Sequence, residues 1–124
     1  MARNGINPKG MSTAGPYSHA VKTSNLVFLA GKTGTDGAGK LADGIAAQTK
    51  QTFANLEQVL EACGLTFDHV VKCNVYLTNM GDFAAMNAVY GEHFTVPQPA
   101  RTTVAVAALP GGAMVEIEMV AEGK

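Results

Sequence analysis

Charged side chains in the last quarter of the chain could do chemistry on a small acid. Arg101 begins one apolar stretch, and Glu116 and Glu118 lie inside the next. Ionised groups are costly within apolar strands unless they have a partner or a role. A guanidinium binds a carboxylate through two parallel hydrogen bonds, and a glutamate can hold a water and take its proton. The pattern predicts a site for a small carboxylate whose neighbouring carbon is attacked by water.

These charged residues are predicted to lie on a terminal hairpin. Residues 101–107 and 114–121 are mostly apolar or β-branched, and Pro110-Gly111-Gly112 between them is typical of a turn. We therefore expect Arg101 and Glu116 on paired strands, with their shared face at or near a subunit contact. The alternative, from residue type alone, is a partly buried ion pair between Arg101 and one glutamate across the hairpin.

The rest of the chain predicts a mixed α+β domain with the order β-β-α-β-α-β-β. The expected elements are strands 18–23 and 26–31, a helix over 45–63 ended by Gly64, a strand over 70–77, and a helix over 83–94 capped by Asp82. Alternation in strand 70–77 places Val71, Cys73, Val75 and Leu77 on one face and Val70, Lys72, Asn74 and Tyr76 on the other.

An oligomer is expected because the sheet needs two covers. Two helices of this length cover only one face, whereas the last strands are apolar or small on both faces. A sheet that is buried on both sides needs a second layer. Another copy of the same chain is the simplest candidate for that layer.

Composition fits a single domain over residues 1–124 in a reducing compartment. Apolar residues make up 47% of the chain and charged residues 15%, and the formal charge is -1. This balance supports a core and excludes a dedicated nucleic-acid binder. The N-terminal segment is not an apolar signal, and no apolar run reaches the length of a bilayer span. A cytoplasmic location is therefore predicted, with no membrane partner.

Other motifs predict no further chemistry. Residues 34–40 fit the Gly-x4-Gly-Lys part of a phosphate-binding loop, but Leu41 stands where Ser or Thr should hold magnesium, so a turn is expected. His19, His69 and His93 lack metal-ligand spacing, and surface or packing roles are predicted for them. Cys63 and Cys73 lie on apolar faces and are predicted to be buried small side chains.

Seven short segments, in order along the chain, resemble one known family. They are Gly15–Ser18, Leu29–Gly31, Gln48–Gln51, Val70–Leu77, Asp82-Phe83 with Asn87 and Tyr90, Pro99–Arg101, and Val115–Glu118. Together they resemble the Rid/YjgF family, the reactive-intermediate imine deaminases also called L-PSP proteins. The resemblance runs from about Gly15 to Ala121.

The resemblance implies a fold and an activity. The fold would be a chorismate-mutase-like α+β domain, with a mixed sheet, two helices on one face, and a homotrimer with clefts between subunits. The activity would be hydrolysis of small 2-imino acids, 2-iminobutanoate and 2-iminopropanoate, to 2-oxo acids and ammonia. It implies no metal and no organic cofactor.

The resemblance also assigns site residues by position. Arg101 matches the arginine that binds the substrate carboxylate, and Glu116 matches the glutamate that orients the attacking water. Tyr17 and Gly31 match residues bordering the ligand, and Asn87 matches an asparagine shared by many members. Spacing alone leaves open whether Glu116 or Glu118 is catalytic; the resemblance favours Glu116, and a solvated or interface-paired role is preferred for Glu118.

Three positions depart from the family pattern. Ala30 occupies a position where serine is frequent, Lys32 one where glutamine is frequent, and Thr103 one where cysteine is frequent. Thr103 is nevertheless counted among the predicted binding residues. Lys32 could favour a more anionic ligand or face solvent. These departures keep open a second function, the binding of small 2-oxo acids without turnover. Endoribonuclease activity, attributed to some relatives, is less favoured because the sequence offers no basic-aromatic surface for RNA.

Overall fold

Six strands form one mixed sheet with two helices packed against it. The computed structural model describes residues 3–123. The strands are β1 (Asn4–Ile6), β2 (Ala20–Thr23), β3 (Leu26–Lys32), β4 (Val70–Leu77), β5 (Ala100–Ala105) and β6 (Val115–Glu122), and the helices are α1 (Ile45–Ala62) and α2 (Phe83–Tyr90). The strand order across the sheet is β1-β2-β3-β6-β4-β5. The mixed α+β prediction is confirmed, and β1 is a strand that the sequence did not predict.

The predicted terminal hairpin is wrong because β4 lies between β5 and β6. β4 pairs with β5 in parallel, with Cys73 opposite Arg101, and with β6 antiparallel, with Tyr76 opposite Glu116. The Pro-Gly-Gly segment is a short 3-10 turn, Pro110–Gly112, within a longer connection that passes from one side of β4 to the other. Parallel pairing of β4 with β5 requires a crossover, which α2 provides.

The helices cover one face of the sheet and bury it. The largest side chains of this core, each at most 5% exposed, are Val27, Leu29, Phe53, Leu56, Leu60, Val75, Leu77, Met86, Ile117 and Met119. Full burial of one such side chain contributes about 1.5–3 kcal/mol. The opposite face, here called the open face, has no covering layer within residues 3–123 and carries alternate residues of β3, β4, β5 and β6, among them Phe28, Tyr76, Val104, Glu116 and Glu118.

A bulge at the start of β4 corrects the predicted faces of two valines. The β4–β6 register shifts between Val70 and Lys72. Val70 is 6% exposed and joins the core, whereas Val71 is 44% exposed. The strict alternation predicted from sequence therefore holds only from Lys72 onward, because a bulge adds a residue without an opposite partner.

Helix α1 follows from its apolar spacing. The predicted face, with Phe53, Leu56, Val59 and Leu60, is buried, and Gly64 has the left-handed φ of 73° that favours glycine after a helix end. The buried Thr49 and Thr52 hydroxyls donate to the carbonyls of Ile45 and Gln48, each at 2.7 Å. These bonds let hydroxyl side chains lie in the core without an unpaired donor.

Helix α2 is shorter than predicted. It ends at Tyr90, and Glu92 and His93 continue as turns. Asp82 occupies the position before the helix, but its side chain makes no capping hydrogen bond. The ring of His93 stacks on Phe53 with centroids 4.0 Å apart, which confirms a packing role for this histidine.

The remaining loop predictions are mostly confirmed. The glycine-rich segment forms a turn closed by the Thr35–Leu41 bridge, in which Asp36 Oδ1 accepts hydrogen bonds from the backbone of Ala38 and Lys40. Cys73 is buried as expected, whereas Cys63 is only partly buried. His69 closes a capping box with Thr66, a structural role.

Candidate active site

Arg101 carries a guanidinium group that forms no ion pair within residues 3–123. At the edge strand β5 it lies on the helix side, with Cζ 4.6 Å from the Tyr90 ring centroid and 5.6 Å from that of Phe83. Its Nη1 donates to Oδ1 of Asn87 at 2.7 Å. Aromatic faces and a neutral amide orient a guanidinium but leave its charge available.

A small hollow adjoins this guanidinium. It has a volume of about 280 Å³ and is lined by Asn87, Tyr90, Gln98, Pro99 and Arg101. Such a volume is below the range of drug-sized ligand pockets and fits a molecule of a few heavy atoms. The geometry can seat a short carboxylic acid with its carboxylate on Arg101.

Two hydroxyl groups on the same side of the sheet lack partners among the described residues. Thr103 Oγ1 and the Tyr90 hydroxyl are buried without a hydrogen bond. The Tyr90 hydroxyl lies by the Cys73 thiol, which is only a weak partner. Burial raises the pKa of both Tyr90 and Cys73, so neither group is an anion at neutral pH. Tyr90 is among the residues that line the hollow, whereas Thr103 is not.

Glu116 lies on the open face and covers Gly31. A Cβ placed on Gly31 would be 2.6 Å from Glu116 Oε2, closer than such atoms approach, and 3.2 Å from its Cγ, a tight contact. Burial, and secondarily the nearby Glu118, raise the pKa of Glu116, while Lys32 opposes this shift. A carboxylate with a raised pKa is a better proton acceptor near neutral pH.

Glu118 has partners within its own sheet. Its Oε2 accepts hydrogen bonds from Asn74 Nδ2 at 2.9 Å and from the Tyr76 hydroxyl at 3.1 Å. Spacing alone did not show which of the two glutamates is catalytic. In the structure, Glu118 is fixed by its hydrogen bonds to Asn74 and Tyr76. This arrangement leaves Glu116 as the carboxylate that can hold a water.

Tyr17 lies in the loop before β2 and is 48% exposed. Its hydroxyl accepts a hydrogen bond from the Ala14 backbone at 3.3 Å, and its ring meets His19 edge-on with centroids 6.3 Å apart.

Two of the positions that depart from the family pattern lie in β3. Ala30 is partly buried, and its backbone N–H donates to the carbonyl of His19 at 2.9 Å. Lys32 is buried, so a solvent-facing side chain at this position is excluded.

The structure separates the sequence-predicted residues into two groups. Arg101, Thr103 and Asn87 form the arginine half-site, on the helix side at the β5 edge. Gly31 and Glu116 form the glutamate half-site, which has its carboxylate on the open face, whereas Tyr17 lies in the loop before β2 with its ring against His19. Their expected shared face is wrong, because Arg101 aligns with the inward-facing Cys73 and Glu116 with the outward-facing Tyr76. An Arg101–glutamate ion pair across a hairpin is excluded for the same reason.

Sequence reasoning did not assign Tyr90 and Gln98 to the site. Tyr90 follows Asn87 by three positions, so both lie on one face of a helix. That spacing could have placed Tyr90 beside any ligand of Asn87. Gln98 lies in the irregular segment before β5 and carries no comparable signal.

Metal-binding clusters and membrane-spanning helices are absent from residues 3–123. Within residues 3–123, no group of three or more His, Cys, Asp or Glu side chains is arranged to hold a metal ion. Among the described helices, none is long and apolar enough to cross a membrane.

Comparison with known proteins identifies the family. The chain matches the family described as Endoribonuclease L-PSP over residues 8–123. It therefore belongs to this family, which is the Rid/YjgF family, and the predicted resemblance is confirmed.

Individual relatives are similar along almost the whole chain. Protein DfrA of Myxococcus xanthus is 45% identical over 98% of this chain and 96% of that protein. The mouse 2-iminobutanoate/2-iminopropanoate deaminase is 40% identical over 91% of this chain and 85% of that protein. The crystal structure of RidA from the Antarctic bacterium Psychrobacter sp. PAMC 21119 superposes with a TM-score of 0.92 at 42% identity, covering 97% of this chain and 99% of that one.

Proposed function

We propose that this protein hydrolyses small reactive 2-imino acids, such as 2-iminobutanoate and 2-iminopropanoate, to 2-oxo acids and ammonia. The observation that carries the proposal is the oriented guanidinium of Arg101 beside a small hollow. A family relative from mouse named for this activity supports it. The cytoplasmic location stays a prediction.

The two half-sites would meet between copies of the chain. The β5 edge carries the arginine half-site, and the open face carries the glutamate half-site. The open face has no cover within the described residues and exposes Phe28 at 45% and Val104 at 41%, which favours burial against another copy. In a homotrimer, each arginine half-site would face the glutamate half-site of the next copy, and ring closure would give three equal sites.

The reaction would begin with binding of the substrate carboxylate. Arg101 would hold it through two charge-assisted hydrogen bonds, and Asn87 would fix the plane of the guanidinium. The Thr103 hydroxyl, which has no hydrogen-bond partner within residues 3–123, would donate a further bond to the ligand. The C=N carbon of the substrate would then lie in the cleft opposite the partner's glutamate half-site.

Hydrolysis then needs one positioned water and one proton acceptor. Glu116 would hold the water and take its proton as the oxygen bonds to C2 of the protonated imine. The resulting carbinolamine gains a proton on nitrogen, the C–N bond breaks, and ammonia leaves with that bonding pair. Loss of the hydroxyl proton completes the 2-oxo acid, so atoms and charge balance.

The test is direct turnover of a freshly generated imine. An amino-acid oxidase acting on 2-aminobutanoate supplies 2-iminobutanoate, and its disappearance is followed with and without the protein. We expect faster hydrolysis than in buffer, loss of the acceleration in Glu116→Gln, and retention in Lys50→Ala, which removes an exposed charge on α1. Hydrolysis at the buffer rate by the folded protein would reject the proposal.

Saturable binding of 2-oxobutanoate by an inactive protein would favour the second candidate, capture of 2-oxo acids without turnover. Ala30 favours this candidate because it lacks the hydroxyl that is frequent in the family at this position. RNA cleavage is not proposed despite the family's description. The open face carries the carboxylates of Glu116 and Glu118, which repel a phosphodiester backbone.

A further inference from the structure

A second hollow lies beside the one at Arg101. It has a volume of about 230 Å³ and is here called the distal hollow. Its lining includes Phe67, Val70, Phe94, Thr95 and Pro99, with Asp68 as its charged residue. Pro99 also lines the hollow at Arg101, so the two hollows share a wall.

Both hollows lie on the helix side of the sheet. Pro99 immediately precedes β5 and stands two residues before Arg101, and residues two apart along a strand share a face. Val70 and Phe94 are 6% and 8% exposed and belong to the core that the helices cover. A ligand group that passes Pro99 therefore leaves the Arg101 hollow and enters the distal hollow.

Aromatic rings connect the walls of the two hollows. Tyr90 lines the hollow at Arg101, and its ring centroid is 5.0 Å from that of Phe94, which lines the distal hollow. Phe94 in turn meets Phe67 edge-on, with centroids 5.7 Å apart. Rings that are packed against one another present apolar surface with few rotatable bonds, so a ligand gains contact with little loss of side-chain entropy.

The size of the two hollows distinguishes short from long ligands. In 2-iminobutanoate, three carbon–carbon bonds of about 1.5 Å each separate the carboxylate carbon from the terminal methyl. With its carboxylate on Arg101, such a molecule is accommodated by the Arg101 hollow alone. The volumes of the two hollows together reach the range of small-molecule pockets, about 300–1,000 Å³. A ligand with a longer side chain can use both.

The lining of the distal hollow also distinguishes side chains by charge. Phe67, Val70, Phe94 and Pro99 offer apolar surface. Asp68 is exposed and carries a carboxylate that repels a second anionic group on a ligand. The combination favours an uncharged apolar side chain and disfavours an acidic one.

We propose that the distal hollow is a side-chain subsite for 2-imino acids and 2-oxo acids whose carboxylate is bound by Arg101. It takes aromatic or large branched apolar side chains. The proposal rests on the proposed function and deepens it, because it extends the substrate class beyond the two-carbon side chain of 2-iminobutanoate. The shared wall at Pro99 commits the hollow to this occupant.

The first test compares two imines that an amino-acid oxidase generates from 2-aminobutanoate and from phenylalanine. Thr95 is exposed and lines the distal hollow, so Thr95→Trp places a large ring there. It should lower kcat/KM for the phenylalanine-derived imine at least about tenfold and leave that for 2-iminobutanoate within about twofold. Val96→Trp is the matched control, because Val96 is 86% exposed and is not part of the lining. Equal effects of Thr95→Trp on both imines would overturn the proposal.

Binding of 2-oxo acids provides a test that needs no turnover. In calorimetric titrations, the wild type should bind phenylpyruvate about tenfold more tightly than 2-oxobutanoate, because more apolar surface is buried. 2-Oxoglutarate, with its second carboxylate, should bind no more tightly than 2-oxobutanoate. Thr95→Trp should weaken only phenylpyruvate, whereas Arg101→Ala should weaken both phenylpyruvate and 2-oxobutanoate.

These titrations separate the subsite from the proposed function. An inactive wild type with this binding pattern would reject the deaminase and retain the subsite. Phenylpyruvate binding that survives Arg101→Ala would show an independent site and overturn the proposal. Amide NMR signals of residues 67–70 and 94–97 supply a readout without any substitution. They should shift with phenylpyruvate and not with 2-oxobutanoate, and an unchanged spectrum with bound phenylpyruvate would also overturn it.

Discussion

Arg101 and Glu116 lie on opposite faces of the same sheet. Arg101 is aligned with the buried Cys73 and stacks on Tyr90 of α2, whereas Glu116 is aligned with Tyr76 on the open face. Strand β4 separates the strands that carry them. A ligand of a few atoms therefore cannot contact both side chains of one chain. If both act on one substrate, they belong to different copies.

Mixing two inactive variants tests this relationship. Arg101→Ala impairs one half-site and Glu116→Gln the other, so at substrate concentrations below the wild-type KM each variant alone should have little activity. After subunit exchange at equal amounts, sites that combine Glu116 of one variant with Arg101 of the other should restore about a quarter of wild-type activity. Coupled imine hydrolysis is the measurement, and native mass spectrometry verifies that mixed oligomers have formed. Exchange without any regained activity would place the site within one chain.

Substitution of Arg101 should mainly affect substrate binding. Charge-assisted hydrogen bonds contribute about 1.5–3 kcal/mol each, so Arg101→Ala should raise KM, or the dissociation constant of 2-oxobutanoate, at least about tenfold. Arg101→Lys should not restore it, because an ammonium lacks the planar fork and the stacking on Tyr90. Isothermal titration with 2-oxobutanoate measures both. Full recovery in the lysine variant would show that charge alone suffices.

A side chain at position 31 should lower activity by displacing Glu116 and not by straining the backbone. A methyl group there would overlap the Glu116 carboxylate, with 2.6 Å between Cβ and Oε2. Gly31→Ala should displace that flexible side chain and lower kcat at least about tenfold, with little change in melting temperature. Gly37→Ala is the control, because a Cβ at Gly37 meets nothing within 4 Å. Equal kinetics for the two variants would contradict the position assigned to Glu116.

Burial of His19 should make the stability of the fold depend on pH. Burial lowers the pKa of His19 in the folded state, so the unfolded chain binds more protons as pH falls. The free energy of unfolding should therefore decrease as pH drops below the ordinary histidine value of 6.5. Urea denaturation at several pH values should show a smaller decrease for His19→Gln than for the wild type. A wild-type slope that persists in His19→Gln would exclude His19 as its source.

The sequence predicted what depends on local patterns. The run of β-favouring residues from Val70 to Leu77 predicted the bounds of β4, and the apolar spacing of α1 predicted its buried face and its end before Gly64. It did not predict that β4 separates β5 from β6, because strand order depends on contacts between distant segments. The bulge at Val70 and the Lys32–His19 contact were missed for the same reason.

The sequence predicted which residues belong to the candidate site, and it did not predict how they are arranged in space. Motif matching named Arg101, Glu116, Gly31 and Asn87, and the structure gives two of them a direct hydrogen bond, Arg101 to Asn87. Their distribution over two faces of the sheet follows from the position of β4 between β5 and β6, which a local turn signal does not reveal.

Thr103 provides a test of the arginine half-site that does not touch its charge. Its Oγ1 is buried without a hydrogen-bond partner in residues 3–123. Thr103→Val keeps the shape and removes that unpaired hydroxyl, so the unfolding free energy should be unchanged or rise by up to about 1 kcal/mol. If the hydroxyl bonds to the ligand, affinity for 2-oxobutanoate should fall about threefold to tenfold in the same variant.

Thr102→Val is the matched control, because the Thr102 hydroxyl is on the open face and accepts a hydrogen bond from Lys72 at 2.9 Å. Chemical denaturation and calorimetric titration measure the two effects, and a Thr103→Val protein with unaltered affinity would remove Thr103 from the binding residues.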